Sequence, residues 1–230
     1  MSSKGSLIAL TIVIGIAGCL LPGTAYAAKD SERGEQWEFY IPIRYYGTQS
    51  FTSDSGSSLD INGDIGWGFG FGYNLNEKLN FGFEFTWTDT SYDANILGDS
   101  DSDGIPDTTF TVGGTLEANT GQFTLQYNIM ETTVTPFVTA GLGWTYVDSN
   151  IPSGLPQTGC WWDPWYGYLC TSWQPTATDT GFSYSGGVGL RAEVTDTFYL
   201  EGAYNWMWID FDSGGTRDFD GYRLDMGWRF

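Results

Sequence analysis

The sequence contains no histidine. No imidazole is therefore available as a general base near neutral pH or as a metal ligand. Basic residues are scarce as well: nine Lys and Arg stand against 28 Asp and Glu, a net charge of −19. Such a chain does not hold nucleic acid through its phosphates. Cysteine occurs only at positions 19, 160 and 170, with no Cys-x-x-Cys spacing, which excludes a zinc ribbon or a dithiol redox motif. The one sustained apolar run, Leu7 to Leu21, falls short of a transmembrane helix. After residue 35 no useful helical period appears. Glycine (32 residues) and aromatics (17%) are abundant instead, with recurrent alternation of period two. This is all-β composition.

Residues 1–27 read as a secretory signal peptide. Lys4 supplies the charged start, the run from Leu7 its apolar centre, and Ala25-Tyr26-Ala27 a small-x-small cleavage site. Ile16-Ala17-Gly18-Cys19 resembles a lipoprotein cleavage box that would leave Cys19 acylated, but apolar residues continue past it, which suits cleavage after Ala27 better. The remaining 28–230 is one domain's length: a short N-terminal segment, 28–35, and a domain over 36–230. Without Lys4 it carries 8 basic and 28 acidic residues, a net charge of −20. Its two cysteines, Cys160 and Cys170, form an even pair in an exported chain and read as a disulfide across a loop.

Eight strands follow from the alternation. In the first, Trp37, Phe39, Ile41, Ile43 and Tyr45 oppose Glu38, Tyr40, Pro42 and Arg44. In the last, Tyr222, Leu224, Met226, Trp228 and Phe230 oppose Arg223, Asp225, Gly227 and Arg229. Between them lie strands with Ile65–Tyr73, Leu79–Trp87, Phe123–Ile129, Val134–Tyr146, Phe182–Val194 and Phe198–Trp208 on their apolar faces. The alternation slips near Asn119-Thr120-Gly121, which predicts a bulge. Short turns at 74–78, 130–133 and 195–197 alternate with longer connections at 47–60, 89–110, 148–179 and 211–218.

One wall of these strands is almost free of charge and ends in aromatic girdles. The other carries Glu38, Arg44, Asp64, Glu84, Arg191, Glu193, Glu201, Arg223, Asp225 and Arg229. Burying that many charges in a soluble core would cost far more than their pairing returns. A lipocalin-like carrier, with its apolar interior, fails on this wall. The pattern predicts an eight-stranded antiparallel up-and-down transmembrane β-barrel with lipid outside, a charged lumen, and both termini at the short-turn, periplasmic end. The N-terminal 28–35 is then a short periplasmic segment.

The chain resembles the small eight-stranded outer-membrane proteins of Gram-negative bacteria, the OmpA transmembrane domain, OmpX and OmpW group, over essentially 36–230. The resemblance rests on the signal peptide, the eight amphipathic strands and the end Trp228-Arg229-Phe230. It implies an outer-membrane location among lipid and lipopolysaccharide, with Trp228 and Phe230 as the signal read by the barrel-assembly machinery. The barrel enzymes of that world resemble one another in using a catalytic His. With no imidazole here, a non-enzymatic role is expected.

Two loops carry motifs. Asp99, Asp101, Asp103, Gly104, Ile105 and Asp107 follow the EF-hand-type calcium loop, with Ile105 offering its carbonyl. Phe110 stands where the bidentate acid belongs, so Asp89, Asp93 or water would complete a calcium site. The Cys160–Cys170 loop holds Trp161, Trp162, Trp165, Tyr166 and Tyr168. It reads either as a rigid tip for a surface ligand or as a lid over the barrel mouth. The expected function is a structural or surface-interaction barrel with calcium- and disulfide-stiffened loops. The alternative is a narrow OmpW-like channel for small, perhaps apolar, solutes. The lumenal charges themselves fit either a salt-bridged plug or a polar path.

Overall fold

The computed structural model describes residues 30–52, 56–98, 108–152, 155, 157–211 and 215–230. Among these, every extended element is a β-strand: β1 (Trp37–Tyr46), β2 (Gln49–Thr52), β3 (Ser58–Ile61), β4 (Asp64–Asn74), β5 (Leu79–Gly98), β6 (Thr108–Asn128), β7 (Val134–Pro152), β8 (Gln157–Asp163), β9 (Gly167–Trp173), β10 (Thr176–Glu193), β11 (Phe198–Phe211) and β12 (Gly215–Arg229). Eight of them, β1, β4, β5, β6, β7, β10, β11 and β12, pair antiparallel with their neighbours in that order. The first and last then pair with each other, from Glu38↔Arg229 to Tyr46↔Gly221, and the sheet closes. Closure leaves no edge within the spanning region, which a sheet in lipid requires.

Burial is inverted relative to a water-soluble protein. Along β1 alternate residues are buried, and the buried set is Glu38, Tyr40, Pro42 and Arg44. Ile65, Trp67, Phe123, Leu142, Phe182 and Leu224 are exposed on the outer wall. Rings on that wall meet across strands in two bands: Trp37 with Tyr73 and Phe198 with Trp228 at the short-turn end, Trp67 with Trp87 and Tyr184 with Trp208 at the other. Such girdles sit at the two membrane–water interfaces.

The connections at the outer end differ from expectation. Much of 89–110 and 148–179 is strand, because β5 and β6 remain paired as far as Gly98↔Thr108 and β7 and β10 as far as Pro152↔Thr176. Beyond the lipid the outward face no longer has to be apolar, so alternation stops marking a strand whose ladder continues. The bulge expected at 119–121 is absent for the same reason. Trp87↔Asn119, Thr86↔Thr120 and Phe85↔Gly121 run in unbroken register, and Asn119 is an outward residue just above the apolar band. The register shift lies instead on β10, between Thr176 and Thr178.

Candidate functional site

The lumen is built from the inward positions of the barrel strands. Arg191 on β10 sits between Glu38 of β1, to which it donates from Nη2, and Glu201 of β11, 2.9 Å from Nη1. Its guanidinium also lies over the Tyr199 ring, 3.7 Å from the centroid, while the Tyr199 hydroxyl donates to Glu38 Oε2 at 3.0 Å. One level further out, Arg44 pairs with Glu84 and Arg223 with Asp225, and Arg223 Nη2 comes within 3.6 Å of the second Glu84 oxygen. All these side chains are buried. Tyr40 and Tyr199 fill the remaining width. A Cβ on Gly70 would stand 2.2 Å from the Tyr40 ring and one on Gly227 2.1 Å from the Tyr199 ring, so only glycine at those positions admits the rings. Between Glu38, Tyr40, Asn80, Tyr199 and Arg223 lies a cavity of about 10 Å³, room for roughly one water. An eight-stranded barrel is just wide enough for side chains to fill it.

The short-turn mouth is closed by a residue that strand periodicity does not point to. Arg33, in the segment before β1, is wholly buried. It donates from Nε to the Glu77 carbonyl, from Nη2 to the Met130 carbonyl at 2.7 Å and from Nη1 to the Thr132 carbonyl at 3.3 Å. Nη1 also pairs with Glu193 Oε1 at 2.9 Å. The same carboxylate oxygen accepts from Ser31 Oγ at 2.6 Å and from Arg229 Nη1 at 3.3 Å. Burial, and then the nearby Arg191, push the Arg33 guanidinium below its usual pKa, with Glu193 pulling it back. Backbone bonds from Ser31 to Glu131 and from Glu35 to Asn74 hold the segment in place. Glu35 adopts φ +59 there, a left-handed conformation that side chains other than glycine seldom take.

Asp64 is the exception among the expected lumenal charges. It is exposed at the outer end of β4, where its carboxylate accepts the Ile65 N–H. The alternation assigned it inward because it continues the Gly66–Gly72 series, but it lies beyond the filled part of the barrel. With Asp64 out and Arg33 in, the buried set among the described residues becomes five acids (Glu38, Glu84, Glu193, Glu201, Asp225) and five arginines (Arg33, Arg44, Arg191, Arg223, Arg229). The one clue to Arg33 in the sequence is that imbalance, since the strand pattern alone offers six acids to four arginines.

Outside the membrane, Cys160 and Cys170 are cross-strand partners joined by a disulfide in the β8–β9 hairpin. The hairpin is a two-stranded sheet of its own. Asp163 Oδ1 accepts the N–H groups of Trp165 (2.8 Å) and Tyr166 (2.9 Å), and Gly167 takes φ +78 to complete the turn. Trp165 is 86% exposed and Tyr166 80%, while Trp161, Trp162 and Tyr168 are exposed on the flanks. The rings do not fold over the barrel mouth as a lid would. Asp99, Asp101, Asp103, Ile105 and Asp107 lie outside the described residues. Their flanks, Gly98 and Thr108, pair directly. Asp93 and Asp89 are five and nine residues further down β5. Trp228 and Phe230 close the ring of strands: Trp228 stacks with Phe39, and Phe230 exchanges backbone bonds with Trp37.

A family model described as "Outer membrane protein beta-barrel domain" matches residues 16–230. The outer membrane protein OprG from Pseudomonas aeruginosa superposes with a TM-score of 0.51 at 13% identity, over 87% of this chain and 98% of that one. Neisserial surface protein A gives 0.47 at 12%, over 84% and 95%. Ail, the attachment invasion locus protein of Yersinia pestis, gives 0.44 at 13%, over 86% and 99%. No curated protein matches the chain in sequence.

Proposed function

The chain belongs to the outer membrane protein β-barrel domain family, which places it in the outer membrane of a Gram-negative bacterium, and from that premise we propose a non-catalytic surface-interaction role. In this reading the barrel is an anchor with a plugged lumen and the third outer loop is the working part. The observation that carries it is the contrast between the two ends of the molecule. The lumen is filled and charge-balanced, whereas five Trp and Tyr rings stand exposed on a disulfide-closed hairpin outside it. Exposed Trp and Tyr on a pre-ordered hairpin bind at low entropic cost.

The disulfide stiffens that hairpin, and calcium stiffens the second outer loop through Asp99, Asp101, Asp103, Asp107 and the Ile105 carbonyl, with Asp89, Asp93 or water completing the shell. The direct pairing of Gly98 with Thr108 supports this, because it holds the ends of the acidic segment together. Trp228 and Phe230 serve as the assembly signal. Clustered outer carboxylates share divalent cations with lipopolysaccharide phosphates.

Planar-bilayer recording tests the anchor reading. Wild-type barrels should show near-zero conductance, and Arg223→Ala or Arg229→Ala should raise it by opening the plug. A stable wild-type conductance would favour a narrow solute channel instead. One feature supports that second reading. At the outer end β2 faces residues 215–220 of β12 through side chains, with Phe51 against Phe219 and Gln49 on Asp220. The ladder there is reduced to the Gly47 N–H on the Asp220 carbonyl.

A further inference from the structure

The β8–β9 hairpin has two faces, and both are apolar near its tip. Cross-strand pairing puts Trp162 with Tyr168 on one face, in edge-to-face contact at 5.5 Å, above the disulfide. It puts Trp161 with Leu169 on the other. Pro164, Trp165 and Tyr166 form the end. A surface that docks flat on a protein has an apolar centre and a polar rim. A finger that is apolar around its whole circumference is suited to insertion.

Charge narrows what it enters. From Gln157 to Trp173 the one ionisable acid or base is Asp163, and its carboxylate is occupied in capping the turn. The rest of residues 28–230 carries a net −19, which repels anionic surfaces. The depth is limited as well. β8 and β9 pair with each other alone, so each has a free backbone edge that hydrocarbon does not tolerate. Trp and Tyr, with an apolar body and a polar tip, prefer the headgroup layer. The hairpin also starts clear of the barrel's own outer girdle: Pro152 is six residues past Tyr146 on β7, about 20 Å along a strand.

We propose that the 161–169 tip inserts into the headgroup layer of a net-neutral, zwitterionic phospholipid bilayer presented from outside the cell. The proposal rests on the surface-interaction reading above and names its partner as lipid. The neutral, two-sided tip supplies the contact, the disulfide keeps the two strands in register during insertion, and the acidic body selects against anionic membranes.

The test uses the full barrel in immobilised nanodiscs and phosphatidylcholine vesicles as the probe, at two salt concentrations. Wild-type protein should capture the vesicles. Trp165→Ala/Tyr166→Ala, whose side chains pack on nothing that the barrel needs to fold, should weaken capture roughly tenfold or more. Vesicles containing phosphatidylserine should bind more weakly at low salt, where the screening length is about 30 Å, than at 0.1 M, where it is about 10 Å. Heat-modifiable migration confirms that each variant is folded. Neutral oligosaccharides, immobilised on a second surface, are the competing probe. Tip-dependent capture of these without capture of vesicles overturns the lipid assignment and leaves the surface-interaction reading standing. Capture of neither overturns both. Vesicle capture that survives the double substitution overturns the assignment to the tip.

Discussion

Replacing Arg33 by alanine should destabilise the barrel by about 3–5 kcal/mol, the usual cost of removing one partner from a buried ion pair. The structure supplies the reasons. Arg33 is fully buried, pairs with Glu193 at 2.9 Å and donates to carbonyls in two of the short turns. Without it the lumen holds five acids against four arginines. Glu193 keeps Arg229 at 3.3 Å and the Ser31 hydroxyl, so part of the loss is offset. Glu193→Gln alone creates the opposite imbalance, five arginines to four acids. The double variant restores four to four, so its destabilisation should be smaller than the sum of the two single effects by roughly 1–3 kcal/mol, within the range of contacting charges. Urea unfolding of the detergent-folded barrel, followed by heat-modifiable mobility and tryptophan fluorescence, measures all four corners of this cycle. A loss below about 1 kcal/mol for Arg33→Ala, or additivity within about 0.5 kcal/mol, would refute the idea that Arg33 completes the lumenal charge balance.

Three further outcomes are expected. Val188→Arg, near the middle of the β10 outer face, should cost about 2–4 kcal/mol in lipid, and Gly186→Arg nearer the outer girdle less; equal costs would mean that the band is placed wrongly. Cys160→Ser/Cys170→Ser should remove about 3 kcal/mol of chain-entropy stabilisation from the ten-residue loop, so protease should cut within 157–173 while the barrel stays intact. Calcium titration of the folded barrel by calorimetry should give a heat that Asp101→Asn/Asp103→Asn abolishes, and chelation should speed proteolysis of 99–107; no heat at millimolar calcium would remove the site.

Much of the barrel is legible because lipid imposes a rule on every spanning residue. A side chain facing hydrocarbon must be apolar, so β1, β4 and β12 can be read residue by residue from their alternation. The rule lapses where the strand leaves the membrane. The outer half of β5 and the outer ends of β6, β7 and β10 look like loops, and Asn119 looks like a break in phase, because water accepts any side chain on an outward face. Arg33 was hidden for a different reason. It enters the lumen from a segment with no periodicity, and its contacts are to carbonyls of turns 44 to 99 residues away, which no local pattern encodes. The hairpin tip falls between these cases. Its cysteine spacing announced a closed loop, but whether the rings turned inward or outward depended on β8 and β9 pairing with each other and not with the barrel.

The balanced lumen has a consequence for the rest of the molecule. Five buried acids and five buried arginines cancel, so these lumenal groups contribute nothing to the net −20 of residues 28–230. Of the three remaining basic residues, Lys29 precedes the barrel and Lys78 pairs with Glu131 at the short turns. Arg217 alone stands among the outer segments, where it lies over the Phe51 ring. The outer surface is therefore an almost unbroken field of one sign, screened by salt, whereas the lumenal pairs are shielded from salt by burial. Barrel stability and outer-surface binding thus answer to different variables. Ionic strength and divalent cations should change what the loops bind while leaving the unfolding free energy of the barrel nearly unchanged. A plug that was merely a conducting polar path would lack that separation, because mobile ions would reach its charges.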